Sequence, residues 1–185
     1  MAHYSFLKQS VSGLMVVLLF PVVSLGQPSP YAGQQSREIK ALSAAEVQGY
    51  LSGSGMGFAK AAELNHYPGP KHVLELADSL HLTESQRTQT LNLYESMRQD
   101  AIKWGKRLVE AERRLDHLFA TQAITEEKLE AVTRDIARYQ GELRQVHLRA
   151  HLSQRRLLTA QQLQHYDALR GYTSGAQHPH RHEHH

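Results

Sequence analysis

From Tyr94 the apolar residues Tyr94, Met97, Ala101, Trp104, Leu108, Ala111, Leu115 and Leu118 follow one another at steps alternating between three and four. That spacing gathers them onto one stripe of a helix and onto nothing else. A second seam runs Leu129, Val132, Ile136, Tyr139, Leu143, Val146, Ala150, Ser153 and Leu157, flanked by charged and Gln-rich faces. Between the seams Thr121-Gln122-Ala123-Ile124 breaks the pattern, and Thr125 caps a new start whose first turn carries Glu126 and Glu127, as the helix dipole favours. The chain is therefore expected to be all-α, with a long antiparallel helical hairpin. At about 1.5 Å per residue an arm from Glu84 to Ala120 is roughly 55 Å long. Two such arms leave apolar surface that a partner, most simply a second copy, would cover.

The hairpin is bracketed by a repeat. Leu82-Thr83-Glu84-Ser85-Gln86 returns as Leu158-Thr159-Ala160-Gln161-Gln162. In each, Thr stands where a helix begins and Gln follows three residues on, which is a capping box: the hydroxyl accepts from the N3 amide and the Gln side chain reaches back to the cap amide. Alone each is an ordinary helix start. Two copies of Leu, Thr and Gln (Leu82, Thr83, Gln86; Leu158, Thr159, Gln162) around a hairpin resemble the periplasmic LTxxQ superfamily over residues 56–172. That superfamily holds Spy/CpxP-like chaperones and stress adaptors beside CnrX- and ZraP-like heavy-metal sensors and binders. The resemblance implies an intertwined, cradle-shaped homodimer.

Upstream, Ser43 with Glu46 makes a further capping box for a short helix through Leu51, and Gly53, Gly55 and Gly57 mark a joint. Pro70, after Tyr67-Pro68-Gly69, suits the first position of a helix reaching about Leu80, with His81 at its end. Lys8 and the apolar run Val11 to Leu25 read as an export signal over residues 1–26, cleaved before Gln27 or retained as an anchor. Residues 27–55 read as a polar linker and short helix, and 173–185 as a disordered His-rich tail. The expected location is the periplasm. With no cysteine, disulfides, thiolate ligands and thiol chemistry are excluded, so any metal must be held by His, Asp, Glu or Met.

The whole chain carries 21 basic and 18 acidic side chains; without residues 1–26 it loses only Lys8, leaving 20 against 18. The two signs are interleaved, which argues against a nucleic-acid groove. No phosphate loop, nucleophile elbow or His-Glu-x-x-His helix is present, so an enzyme and an organic cofactor are not expected.

The chemistry the chain does offer is that of its 13 histidines. His147 and His151, four apart on the second long helix, can converge on one ion, although both flank the seam where an imidazole can equally be solvated. Folding the hairpin about residue 122 places them near residues 97 and 93, far from His117 at the tip. Glu63 and His66, ahead of the hairpin base, are the best further ligands; turn and cap duty is the plainer role for both. The resemblance strengthens the helix pair, because metal-sensing members carry a His and a second ligand four residues later before the second LTxxQ copy. It also exposes a departure, since no His-x-x-x-His pair lies in the N-terminal region. The tail residues His178, His180, His182, His184 and His185 form a flexible imidazole cluster suited to Cu, Ni, Co or Zn. The expectation is a non-enzymatic, periplasmic metal-responsive protein that senses, binds or confers resistance to a heavy metal and signals to a membrane-bound regulator. The alternative is an ATP-independent chaperone or envelope-stress adaptor that holds unfolded clients without metal, using apolar contacts with Arg98, Lys103, Lys106, Arg107, Arg144 and Arg149.

Overall fold

The computed structural model describes residue 27 and residues 29–173; the expected signal segment and the histidines of the tail lie outside them. Residues 29–32 hold a turn of their own, with Ala32 N–H donating to Ser29 O at 2.9 Å. From Gly33 the described chain is helical and contains no strand. Its elements are α1 (Ala44–Ser52), α2 (Lys60–Glu63), α3 (Pro70–Glu75), α4 (Glu84–Ala120), α5 (Glu126–Leu157) and α6 (Ala160–Leu169). The fold is all-α, and α4 and α5 form the long hairpin that the two seams require.

The caps explain where the helices start. Ser43, Thr83 and Thr159 each accept from the N3 amide while Glu46, Gln86 and Gln162 return the bond to the cap amide. Thr125 accepts from Lys128 N at 3.3 Å to open α5, and Gln122, at φ 54°, turns the chain between the arms. Ala101, Leu108 and Leu143 close the centre of the hairpin, with Trp104, Ile136, Tyr139 and Val146 packed around them.

At the base the two Leu-Thr-x-x-Gln copies meet. Leu82 and Leu158 share one apolar cluster with Val73, Ala77, Leu80 and Tyr166. Beside it the two glutamine amides lie head to tail: Gln86 Nε2 donates to Gln162 Oε1 at 2.8 Å and Gln162 Nε2 donates to Gln86 Oε1 at 3.0 Å. Their second donor bonds run to Leu157 O at 2.8 Å and Leu80 O at 3.2 Å, while each oxygen also accepts from its own cap amide. Every hydrogen-bonding site of both amides is thus used. Glutamate could cap the helix equally well, but it has no donors for the second half of this arrangement.

Two local features differ from the sequence reading, and a third lies beyond it. The helix from Pro70 ends at Glu75 rather than near Leu80; residues 76–81 continue as irregular turns, with His81 at φ 48° and Leu82 N–H reaching back to Ala77 O at 3.1 Å. The irregular path buries Ala77 and Leu80 together and presents Leu80 O to Gln162. Within the expected polar stretch, Ile39 and Leu42 are buried against Val109, and Lys40 and Glu38 pair with Asp116 and Arg113 of α4. Finally, α1 crosses α4 at Gly105, where a Cβ would stand 2.1 Å from Tyr50 O, so only glycine permits the approach.

Replacing Gln162 by Glu keeps the cap acceptor and removes both cross-helix donors. Urea unfolding should show a loss of about 2 kcal/mol, as expected when buried partners are left unpaired. Gln86→Glu should cost a similar amount, and the double variant less than the sum, because both act on one network.

Candidate functional site

The residues that bear chemistry collect where α5 passes the 53–70 segment. His147 and His151, one helical turn apart, are 2 % and 9 % exposed, so they are core residues rather than the solvated flank the heptad register allowed. They line a cavity of about 680 Å³ together with Tyr94 and Met97 of α4, which confirms the pairing derived from folding the hairpin about residue 122. Glu63, Gly69, His72 and Tyr172 complete the inner wall.

The two imidazoles are held differently. His151 Nδ1 lies 2.7 Å from Tyr67 O; a carbonyl only accepts, so Nδ1 carries the proton and the lone pair of the neutral ring is on Nε2. This is the arrangement that orients a metal-ligating histidine through its other nitrogen. Gly69 makes room for that edge of the ring, because a Cβ there would come within 2.9 Å of Cε1 and Nε2. The carbonyl itself is fixed by a turn: His66 adopts φ 64°, Tyr67 N–H donates to Ala62 O at 3.0 Å, and Arg155 stacks on the Tyr67 ring and donates to His66 O at 2.5 Å. His147 stacks almost parallel on Phe58, ring centres 5.9 Å apart, and its buried Nε2 has no hydrogen-bond partner. An unpartnered buried nitrogen costs about 1–3 kcal/mol, which a ligand on that atom would recover.

Glu63 stands beside the pair, as a candidate ligand should, but its oxygens are engaged. Oε1 accepts from the Tyr166 hydroxyl at 2.5 Å and the Tyr172 hydroxyl at 3.3 Å, with Arg170 Nε at 3.4 Å. Oε2 accepts from Gly69 N–H at 3.2 Å and lies 3.7 Å from His151 Nδ1. His72 Nδ1 approaches Oε1 to 3.4 Å without the alignment of a hydrogen bond, so that buried nitrogen too is unpartnered. Burial works against ionisation of Glu63, but the His72 and Tyr166 contacts and the nearby imidazoles outweigh it and hold the pKa down to about 2. His66 does not join the group; its Nδ1 pairs with Asp167 at 2.9 Å on an exposed face. His117 lies at the exposed end of α4, as its distance from the pair along the arm requires. Tyr166, Tyr172 and Arg170 had no signal in the sequence, since nothing in their spacing ties them to a carboxylate a hundred residues upstream.

Among the described residues no three or more His, Cys, Asp or Glu side chains are arranged to hold a metal ion. The site offers two preset imidazoles and an ionised but saturated carboxylate. No protein-family model, curated protein or solved structure matches the chain. The likeness to the LTxxQ superfamily therefore rests on the two Leu-Thr-x-x-Gln copies that bracket the hairpin.

Burial, reinforced by His151, depresses the pKa of His147 from 6.5 to about 4, and burial lowers that of His151. Below pH 6.5 the unfolded chain then takes up protons that the folded chain refuses, so stability falls as pH drops from 6.5 towards 4. For His147 the full loss is about 3 kcal/mol. Glu63 adds a loss in the same direction below its unfolded pKa of 4.5. Denaturation of His147→Leu should show a shallower decline between pH 7 and 4, and stability at pH 7 no lower than that of the parent chain.

Proposed function

We propose that this protein is a non-enzymatic, metal-responsive protein of the periplasm that takes up a first-row transition-metal ion at His147 and His151. One observation carries the reading: two buried histidines a helical turn apart, kept neutral by burial, one with its Nδ1–H tied to a carbonyl and the other with a partnerless Nε2. Neutral imidazole is the ligand form, and the Cu, Ni, Co and Zn ions prefer it. Reaching His147 Nε2 takes a local shift of the cavity wall, because that atom is closed to solvent. Such a shift is how metal binding would be transmitted to the packing of Phe58 and the 53–57 joint. Glu63 serves as framework, setting the turn that orients His151. His178, His180, His182, His184 and His185 of the tail gather metal non-selectively, and a membrane-bound regulator receives the signal.

A homodimer is part of the same reading. Leu91 on α4 and Leu129 and Leu152 on α5 stand between 38 and 48 % exposed, with Phe119 at the tip, surface that a second hairpin would cover. The same exposed residues favour the second reading, a metal-independent chaperone whose clients bind this face.

Calorimetry with Cu(II), Ni(II), Co(II) and Zn(II) tests the first reading on the full-length chain with the five tail histidines replaced by Ser. Saturable binding should be lost in His147→Ala/His151→Ala at unchanged helicity. Because burial lowers the pKa of both imidazoles, affinity should fall less between pH 7 and 5.5 than binding to the tail of the parent chain does. Absence of binding to the tail-replaced chain, with metal-free suppression of client aggregation that Leu91→Ser or Leu152→Ser weakens, would instead establish the chaperone.

A further inference from the structure

A second recess lies on the outer side of α2, and neither His147 nor His151 lines it. Its volume is about 500 Å³, within the roughly 300–1,000 Å³ of small-molecule pockets. The turn of α2 separates it from the buried carboxylate. Steps of three and four bring Lys60, Ala61, Leu64 and Asn65 to the recess, while Glu63 faces the other way, 9 % exposed and bonded to Tyr166. Lys60 and Leu64 stand on the ridge between this recess and the histidine cavity. Met56 and Phe58 enter from the joint, and Arg144 from α5.

The floor is apolar and open. Leu64 is 52 % exposed and Met56 40 %. Met56 stands at φ 42°, a conformation that glycine adopts freely and methionine does not, in a stretch where Gly55 and Gly57 flank it. Its sulfur rests in the notch left by Gly49, where a Cβ would stand 2.5 Å from Sδ, so the side chain is held with its remaining surface towards the recess. Methionine adapts its shape to what lies on it. Phe58, stacked on His147 by one face, adds to the same floor. The charged lining has a single sign. Lys60 and Arg144 are exposed, neither has an ion pair among the described residues, and no acid lines the recess. The Asn65 amide nitrogen is spent on Ala61 O at 2.7 Å.

An apolar floor with two free cations at its rim complements a molecule that has one apolar chain and one anionic head. We propose that this recess binds a single-chain anionic amphiphile, a long-chain fatty acid in its carboxylate form. Arg144 receives the carboxylate with its planar fork and Lys60 adds a point charge, while the chain lies over Met56, Phe58, Ala61 and Leu64. A peptide on the same floor would leave backbone groups unpaired, and a metal ion would find no acid to hold it. The surface is concave, which suits one molecule withdrawn from a bilayer rather than the bilayer itself. The site is independent of the metal-binding reading, because none of the proposed metal ligands belongs to it.

Equilibrium dialysis of the full-length chain against carbon-14 dodecanoate, near neutral pH and below the micellar concentration, tests this. One dodecanoate should be retained per chain. Octanoate should bind at least roughly tenfold more weakly, since each methylene taken out of water is worth up to about fourfold. Dodecyltrimethylammonium, with the same chain length and the opposite charge, should also bind at least roughly tenfold more weakly. Lys60→Glu/Arg144→Glu and, separately, Leu64→Ser should each lower dodecanoate affinity by roughly tenfold at unchanged helicity, because all three side chains are exposed and the fold does not rest on them. Equal binding of the two head charges, or binding untouched by either variant, would overturn the proposal and leave a non-specific apolar surface. Absence of dodecanoate binding would overturn it as well. Sedimentation of the chain with phosphatidylglycerol vesicles would then assign the cations to a membrane surface, and a dimer that Leu64→Ser dissociates would assign the floor to a second copy.

Discussion

Glu63 is the group on which the base of the molecule depends. One carboxylate, buried at the end of α2, receives hydroxyls from Tyr166 and Tyr172, the Gly69 amide and the neighbouring charge of Arg170. Burying a carboxylate is costly unless donors replace its water, and here they do so well enough to keep it ionised far below the ordinary carboxylate range. The donors come from two stretches of chain, residues 166–172 and Gly69. The carboxylate therefore fastens the last described residues to the turn ahead of α3, and that turn carries the carbonyl that orients His151. The second tie, the Gln86–Gln162 amide pair, locks the starts of α4 and α6 a short distance away. Together they convert a hairpin that could splay at its base into a walled cavity.

How much of this the chain reveals on its own depends on the range of the interaction. The seams, the Thr caps and the break at residues 121–124 are local, with a period or offset of a few residues, and they yield the all-α hairpin and the starts of α1, α4, α5 and α6 with little error. The Leu-Thr-x-x-Gln repeat is visible as two caps, but the contact between its two glutamines spans 76 residues and leaves no trace in either copy. Gly105 gives no signal along the seam, and only the Tyr50 carbonyl laid across it shows why a Cβ is excluded there. The packing of Ile39 and Leu42 on Val109 escaped notice because two apolar residues in a polar stretch make no period.

The histidine pair illustrates a subtler limit. Its spacing shows that the two rings share a face of α5, and the fold of the hairpin shows that this face meets Met97 and Tyr94. Whether that face is wet or dry is decided by the 53–70 segment, which has no regular pattern and packs over it as short turns. Burial is what alters the chemistry. A solvated imidazole near pH 6.5 is a protonation sensor, whereas the same side chain under Phe58 is a neutral base that ordinary acidification does not charge. Glu63 moved in the opposite sense: spacing offers it as a ligand, and the structure surrounds it with donors.

The unpartnered nitrogen of His147 is where packing and the proposed function pull in opposite directions. A leucine there would keep the contact with Phe58 and remove a polar atom that water cannot reach, so packing alone argues against histidine. His151, four residues on, is different: its Nδ1–H bond to Tyr67 O ties α5 to the turn ahead of α3, a structural role that His147 lacks. The unpaired nitrogen of His147 raises the energy of the fold, and under the metal-binding proposal a ligand on that atom would relieve this. The framework around Glu63 is held by an ionised carboxylate, two hydroxyls and the Gly69 amide, so the turn that it fixes does not depend on the unpartnered nitrogen of His147.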